Sequence, residues 1–183
     1  KSAQTGTLTA SELNSFSSED LASLKKTAIV GLTTTALAGL TTAKIAALTT
    51  TQVTALSSSQ MGALSSAQLA ALEPSQFAAL TGTQIAGLST AAIANLKASQ
   101  VAAMSTAQLA ALTSTQFNAL TSSSIESLTA KQVSGLKSQQ VSTLSSAELN
   151  TFTLNEIASL SRTALRGLTP AALAGLSTDR IAA

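Results

Sequence analysis

Leu64–Ala71 reads LSSAQLAA and Leu112–Ala119 reads LTSTQFNA. Both spell one eight-residue unit: a Leu, a Ser or Thr, two variable residues, a Gln, a second large apolar residue, a variable residue and a small one. Working outward, Leu stands at every multiple of eight from Leu8 to Leu176, except where Phe16, Met104 and Phe152 replace it. A second apolar ladder lies five residues after the first, through Leu13, Leu21, Ile29, Leu37 and so on to Ile181. The register never slips, so the chain reads as a single continuous array over residues 1–183, with no linker and no second domain. Places in each octad are numbered here from its Leu, one to eight.

Three conformations compete for such a period. In a continuous α-helix, eight residues overshoot two turns by about 80°, so the Leu ladder would wind around the helix and make no stable apolar face. In a strand, side chains alternate faces, and two ladders offset by an odd number would point to opposite sides. One short helix per octad meets neither objection, and the local chemistry favours it. With the N-cap at place two, place five becomes N3, giving the capping box S/T-x-x-Q/E. Thr9 with Glu12, Ser65 with Gln68, Thr81 with Gln84, Thr113 with Gln116 and Ser145 with Glu148 fit it, and Ser105 is a further cap of this kind. Place three becomes N1, where proline is favoured because its missing N–H has no helical partner anyway, and both Pro74 and Pro170 fall there. The Leu at N′ and the apolar residue at N4 form a hydrophobic staple.

The expected fold is therefore all-α: a solenoid, or superhelical coil, of very short helices, one per eight-residue repeat. Helices of roughly six or seven residues, about 10 Å long, do not persist alone in water. Their apolar residues must pack on neighbouring octads, and stability must come from nearest-neighbour interfaces. The core ladder is predicted to include Leu40, Ile45, Leu48, Val53, Leu56, Leu64, Leu69, Leu72, Phe77, Leu80, Ile85, Leu88, Leu112, Phe117 and Leu120. Place eight holds small residues, among them Gly31, Gly39, Gly87, Gly135, Gly167 and Gly175. Ala is as common there, so the demand is for smallness and close backbone approach, not for a left-handed helix cap. Leu64–Ala103 also resembles Met104–Thr143, an interval of five octads that either a duplication or a superhelical period would explain. The sequence does not give the number of octads per turn.

Composition narrows function. The chain is 45% hydrophobic but only 10% charged, with no Cys, His, Trp or Tyr. Disulfides, thiolate metal sites and thiol nucleophiles are excluded, as are histidine bases and any Ser-His-Asp triad. The carboxylates are scattered, and only Glu19-Asp20 forms a pair, so calcium-type acidic loops are missing. No catalytic, metal or cofactor site is expected, and no enzyme. A net charge of +2 gives little reason to expect nucleic acid, even with Arg162, Arg166 and Arg180 near one end and no aromatics between them. No apolar run is long enough to span a membrane. The chain opens Lys1-Ser2-Ala3, with neither an initiator Met nor a signal pattern, and reads as a piece of a longer protein.

The unit resembles the L-S/T-x-x-Q-Φ-x-A octapeptide repeats of very large bacterial surface or secreted proteins of the adhesion or haem-utilisation-like kind. The resemblance covers the chain from Leu8 onward. It implies a place outside the cell, within a long repetitive stalk. The haem association finds no ligand here: His is absent and both Met61 and Met104 stand on core ladders. The expected role is a monomeric spacer whose packing partners are its own neighbouring octads. The alternative is adhesion, with a surface protein or glycan bound along one face. Departures from consensus would mark that face: Lys25, Lys97, Lys137 and Glu73 at the cap position, and the extra apolar residues Val30 and Leu154.

Overall fold

The structure, a computed structural model, describes residues 6–183; the opening Lys1-Ser2-Ala3 lies outside them. Among the described residues there are 22 short helices and no strand, from α1 (Ala10–Ser15) to α22 (Thr178–Ala182). Each octad runs through the same backbone course. The cap residue is extended, as at Ser65 (φ −68°, ψ 160°), and its hydroxyl accepts the N–H of Gln68. A helix follows, and the next place-one residue returns to the extended region, as Leu112 does at φ −63°, ψ 134°.

The helices are four to six residues long, a little shorter than the period suggested. Of eight residues, the extended Leu and the cap are spent on re-entering the next helix. The Leu N–H then closes a tight turn three residues back, as Leu48 does on the Ile45 carbonyl at 3.2 Å. Such a helix has almost all of its N–H and C=O groups at an end, so capping governs its existence. Replacing Ser65 by Ala should lower stability by about 1 kcal/mol through the lost cap. Thermal melts of the variant against the parent check this, and an unchanged melting temperature would remove the cap from the account.

Helices pack three apart along the chain. For example, α10 (Gly82–Ala86) lies against α7 (Ser58–Gly62) and α13 (Thr106–Ala111). Side-chain ties between coils span 25 to 31 residues, those of the glutamines 28 to 31, so one turn takes between three and four octads. The five-octad similarity of Leu64–Ala103 to Met104–Thr143 matches neither one such turn nor two, so the superhelical period is not its source.

Both ladders point into one continuous core that follows the superhelix axis, and every predicted core residue from Leu40 to Leu120 named above is buried. The last members of the second ladder, Leu165, Leu173 and Ile181, are 42%, 42% and 62% exposed, and their helices pack on earlier coils only. The glycines explain how closely the coils approach. No described residue has a positive φ. A Cβ on Gly87 would stand 2.9 Å from the Ser58 carbonyl oxygen, and one on Gly167 only 2.0 Å from that of Ser138. Those positions lack a side chain because the backbone of an adjacent coil occupies the space.

Candidate functional site

The feature repeated through the interior is a column of buried glutamines at place five: Gln52, Gln60, Gln68, Gln76, Gln84, Gln100, Gln108, Gln116, Gln132 and Gln140. Each is fixed by its own helix, because N3 side chains fold back over the N-cap. Gln68 Oε1 accepts the Ser65 N–H at 2.8 Å. Reciprocally, the Gln68 N–H reaches the Ser65 hydroxyl. Thr81, Ser105 and Thr113 make the same reciprocal box with Gln84, Gln108 and Gln116, and Ser145 makes it with Glu148.

The capping box uses only the acceptor half of the amide. Gln68 Nε2 donates to three carbonyls of an adjacent coil: Leu37 at 3.0 Å, Ala38 at 3.2 Å and Leu40 at 2.7 Å. Gln100 repeats this on Leu69 and Leu72 at 2.9 and 2.8 Å, and Gln132 on Val101 and Met104 at 2.9 and 2.8 Å. The accepting carbonyls lie where a helix ends: that of Leu37 also takes the Leu40 N–H of the closing turn, and that of Leu40 stands on the extended residue just beyond the helix, with no helical donor of its own. One side chain therefore caps the start of its own helix and the end of another. Sequence reasoning assigned the glutamines to the first task and missed the second. The available signal was the preference for Gln over Glu at a position where either can close the box.

Where place five is acidic, the side chain has no N–H to donate and only the first task remains. Glu12 accepts the N–H and hydroxyl of Thr9, both at 2.8 Å. Asp20 does the same with Ser17. The Glu12 carboxyl is held below its ordinary pKa first by the Thr9 backbone N–H and then by the Thr9 hydroxyl. That of Asp20 is lowered first by the Ser17 hydroxyl and then by its N–H. A lowered folded-state pKa contributes stability above the ordinary carboxylate range, and that contribution is lost as pH falls through the lowered value. Amide exchange at Thr9 and Ser17, corrected for intrinsic rates, should therefore quicken in acid before that at Ser65, whose partner is a neutral amide. Simultaneous loss of protection at all three would contradict this.

The off-consensus residues do not assemble into a site. Lys25, Lys97, Lys137 and Glu73 are exposed and make no side-chain cap. If the recurrent 28-residue tie is one turn, Lys97 stands more than a third of a turn from both Lys25 and Lys137. Val30 and Leu154 are 51% and 49% exposed, in octads at opposite ends of the array. Among the described residues no three Asp or Glu gather as a metal could require, and no helix is long and apolar enough to cross a membrane. Two open grooves between coils are lined mainly by cap hydroxyls and small residues, as where Ser105 and Thr106 lie near Thr129 and Lys131, whereas a third, near the C-terminal end, is apolar and lined by Leu165, Leu173 and Ile181 among others.

A family model described as the ALTTAQ repeat matches the chain in seven overlapping copies, at residues 13–50, 34–66, 45–74, 55–90, 69–106, 85–122 and 93–130. The six letters run from place eight through place five, as in Ala47-Leu48-Thr49-Thr50-Thr51-Gln52, and the same octad continues past residue 130 to Leu176. No curated protein and no solved structure matches the chain.

Proposed function

The chain belongs to the ALTTAQ repeat family, and on that premise we propose that it is a structural spacer: a stalk segment of a repetitive bacterial surface or secreted protein, without catalytic activity. Its work is to hold other parts of that protein at a distance set by the number of coils. The observation that carries this reading is the regular coil-on-coil stacking, in which the glutamine ties recur from Gln52 to Gln140. A reading as an enzyme has little to stand on in a chain without His, Cys or Tyr. Adhesion along one face is the weaker reading, because the residues that depart from the octad scatter around and along the superhelix.

Solution scattering tests it. The chain should be elongated, and inserting seven octads, two turns at 28 residues each, should lengthen it in proportion without thickening its cross-section. A compact particle, or a longest dimension that does not grow with the insertion, would sink the spacer. Saturable binding of a glycan or surface protein, abolished by changing residues on one side only, would favour adhesion instead.

A further inference from the structure

Glutamine at place five does two jobs with one amide, and a cation can do only one of them. Lys and Arg donate but cannot accept, so they can reach the carbonyls below yet leave the N-cap N–H unserved. Place five holds a cation at Lys44 and at Arg180. Lys44 Nζ donates to the Phe16 carbonyl, 28 residues back, where a glutamine would donate. Arg180 Nη2 donates to the carbonyls of Phe152 at 2.9 Å and Asn150 at 2.6 Å.

The missing acceptor comes from the coil below. Asn14 stands 30 residues before Lys44, at place seven. Its Oδ1 accepts the N–H of Thr41, the N-cap residue of the Lys44 helix, at 3.0 Å. Its Nδ2 donates to the Gly39 carbonyl at 2.9 Å, so the asparagine also serves the end of the preceding helix. Asn150 stands 30 residues before Arg180 and donates to the Gly175 carbonyl at 2.8 Å. Its Oδ1 is buried with no partner. By the offset seen at Asn14, that atom corresponds to the N–H of Ser177, so the second pair is the same device with one bond still open.

Asn occupies place seven in only three octads, so finding it opposite both cations is not what random placement gives. The third, Asn118, precedes Glu148, which accepts the Ser145 N–H itself at 2.8 Å. There the asparagine has no such role, and it is exposed.

We infer that a place-seven Asn and a place-five Lys or Arg 30 residues later form a second kind of inter-coil lock, equivalent as a pair to the single glutamine. The two residues are specificity determinants of the stacking interface: a cation at place five fits a coil that carries Asn beneath it and fits poorly on one that does not. The rule concerns which coil seats on which, and it stands whether or not the array is a spacer.

Transplanting the pair into an interior interface tests it. Gln76 accepts the Glu73 N–H and donates to the Ala46 and Leu48 carbonyls, and Ala46 is the place-seven residue 30 before it. In the full chain, Gln76→Lys should lower the melting temperature by about 2–4 °C, the shift expected for one lost tie at this length. Adding Ala46→Asn should return at least half of that loss, while Ala46→Asn in the otherwise wild-type chain should not raise the melting temperature.

The native pair supplies the reverse experiment, should the transplanted variant fail to fold. Asn14→Ala should speed amide exchange at Thr41 in the wild type, and in the Lys44→Gln background that acceleration should fall by at least half. A smaller recovery, or an Asn14→Ala effect equal in both backgrounds, would overturn the pairing.

Discussion

Gln68→Glu should melt on the order of 10 °C below the wild type at neutral pH and recover most of that loss in acid. The substitution is nearly isosteric, and it keeps the acceptor that takes the Ser65 N–H. What changes is the other atom. Nε2 faces the carbonyls of Leu37, Ala38 and Leu40, and a carboxylate oxygen there would meet three acceptors with no proton to share. Gln68 is only 2% exposed, so water cannot relieve the contact. An uncompensated buried charge of this sort costs about 3–5 kcal/mol.

The introduced carboxyl should therefore hold its proton more tightly in the folded chain than in the unfolded one, where its pKa is about 4.3. A raised folded-state pKa leaves stability intact below the unfolded value, and the contribution is lost as pH rises through the folded value. The protonated acid can donate to one of the three carbonyls, which restores part of the tie. The measurement is the difference in melting temperature between variant and parent across pH, which removes the acid response of Glu12 and Asp20 that both share. A difference that stays constant with pH would refute the assignment of Nε2 as donor. The natural acids Glu148 and Glu156 do not contradict it: both are half-exposed, and there the carboxylate keeps contact with solvent.

Phe77→Ala should cost about 3–5 kcal/mol, whereas Phe77→Leu should cost about 1 kcal/mol or less. Phe77 has no exposed surface and belongs to the second ladder. That ladder carries Val, Ile, Leu, Met and Phe at equivalent places, as at Val53, Ile45, Leu69, Met61 and Phe77, so moderate changes of volume are absorbed by the coils on either side. Removing nearly the whole side chain leaves a cavity that helices of four to six residues cannot collapse around without breaking their caps. In a solenoid the damage should also stay local, because each coil is stabilised mainly by its neighbours. Hydrogen exchange should show the greatest loss of protection in the helices that pack on α9 (Pro74–Ala78), with little change near Ile29 or Leu149. Equal melting temperatures for the Ala and Leu variants would argue against a packed core at this site.

The register of the helices was legible in the sequence because its determinants are local. A capping box acts over three residues, and Pro74 and Pro170 mark N1 without reference to any other coil. Helix length was overestimated slightly, since the period alone does not show how many residues the chain spends in re-entering the next helix. The number of octads per turn was not legible, because it is set by contacts between coils and no residue announces which carbonyl it will find 28 positions away. The amide column was half legible. Its capping role follows from spacing, but its donor role appears only once Gln68 is seen above Leu37 and Leu40. The small residues at place eight were read correctly as permitting close approach, and the 2.9 Å between a hypothetical Gly87 Cβ and the Ser58 oxygen supplies the distance.

The ties between coils have a mechanical consequence. The bonds from Gln68, Gln100 and Gln132 link turns of the coil to one another, while each capping box is closed within its own octad. Drawing the two ends apart loads the ties between turns and leaves the boxes largely unstressed. The array should then yield one turn at a time instead of snapping as a whole. A turn of 28 residues, once pulled straight, releases roughly 90–100 Å of chain. A filament built in this way stretches in small, repeated steps and can rewind when the load is removed, since each released turn still has an intact neighbour on which to seat.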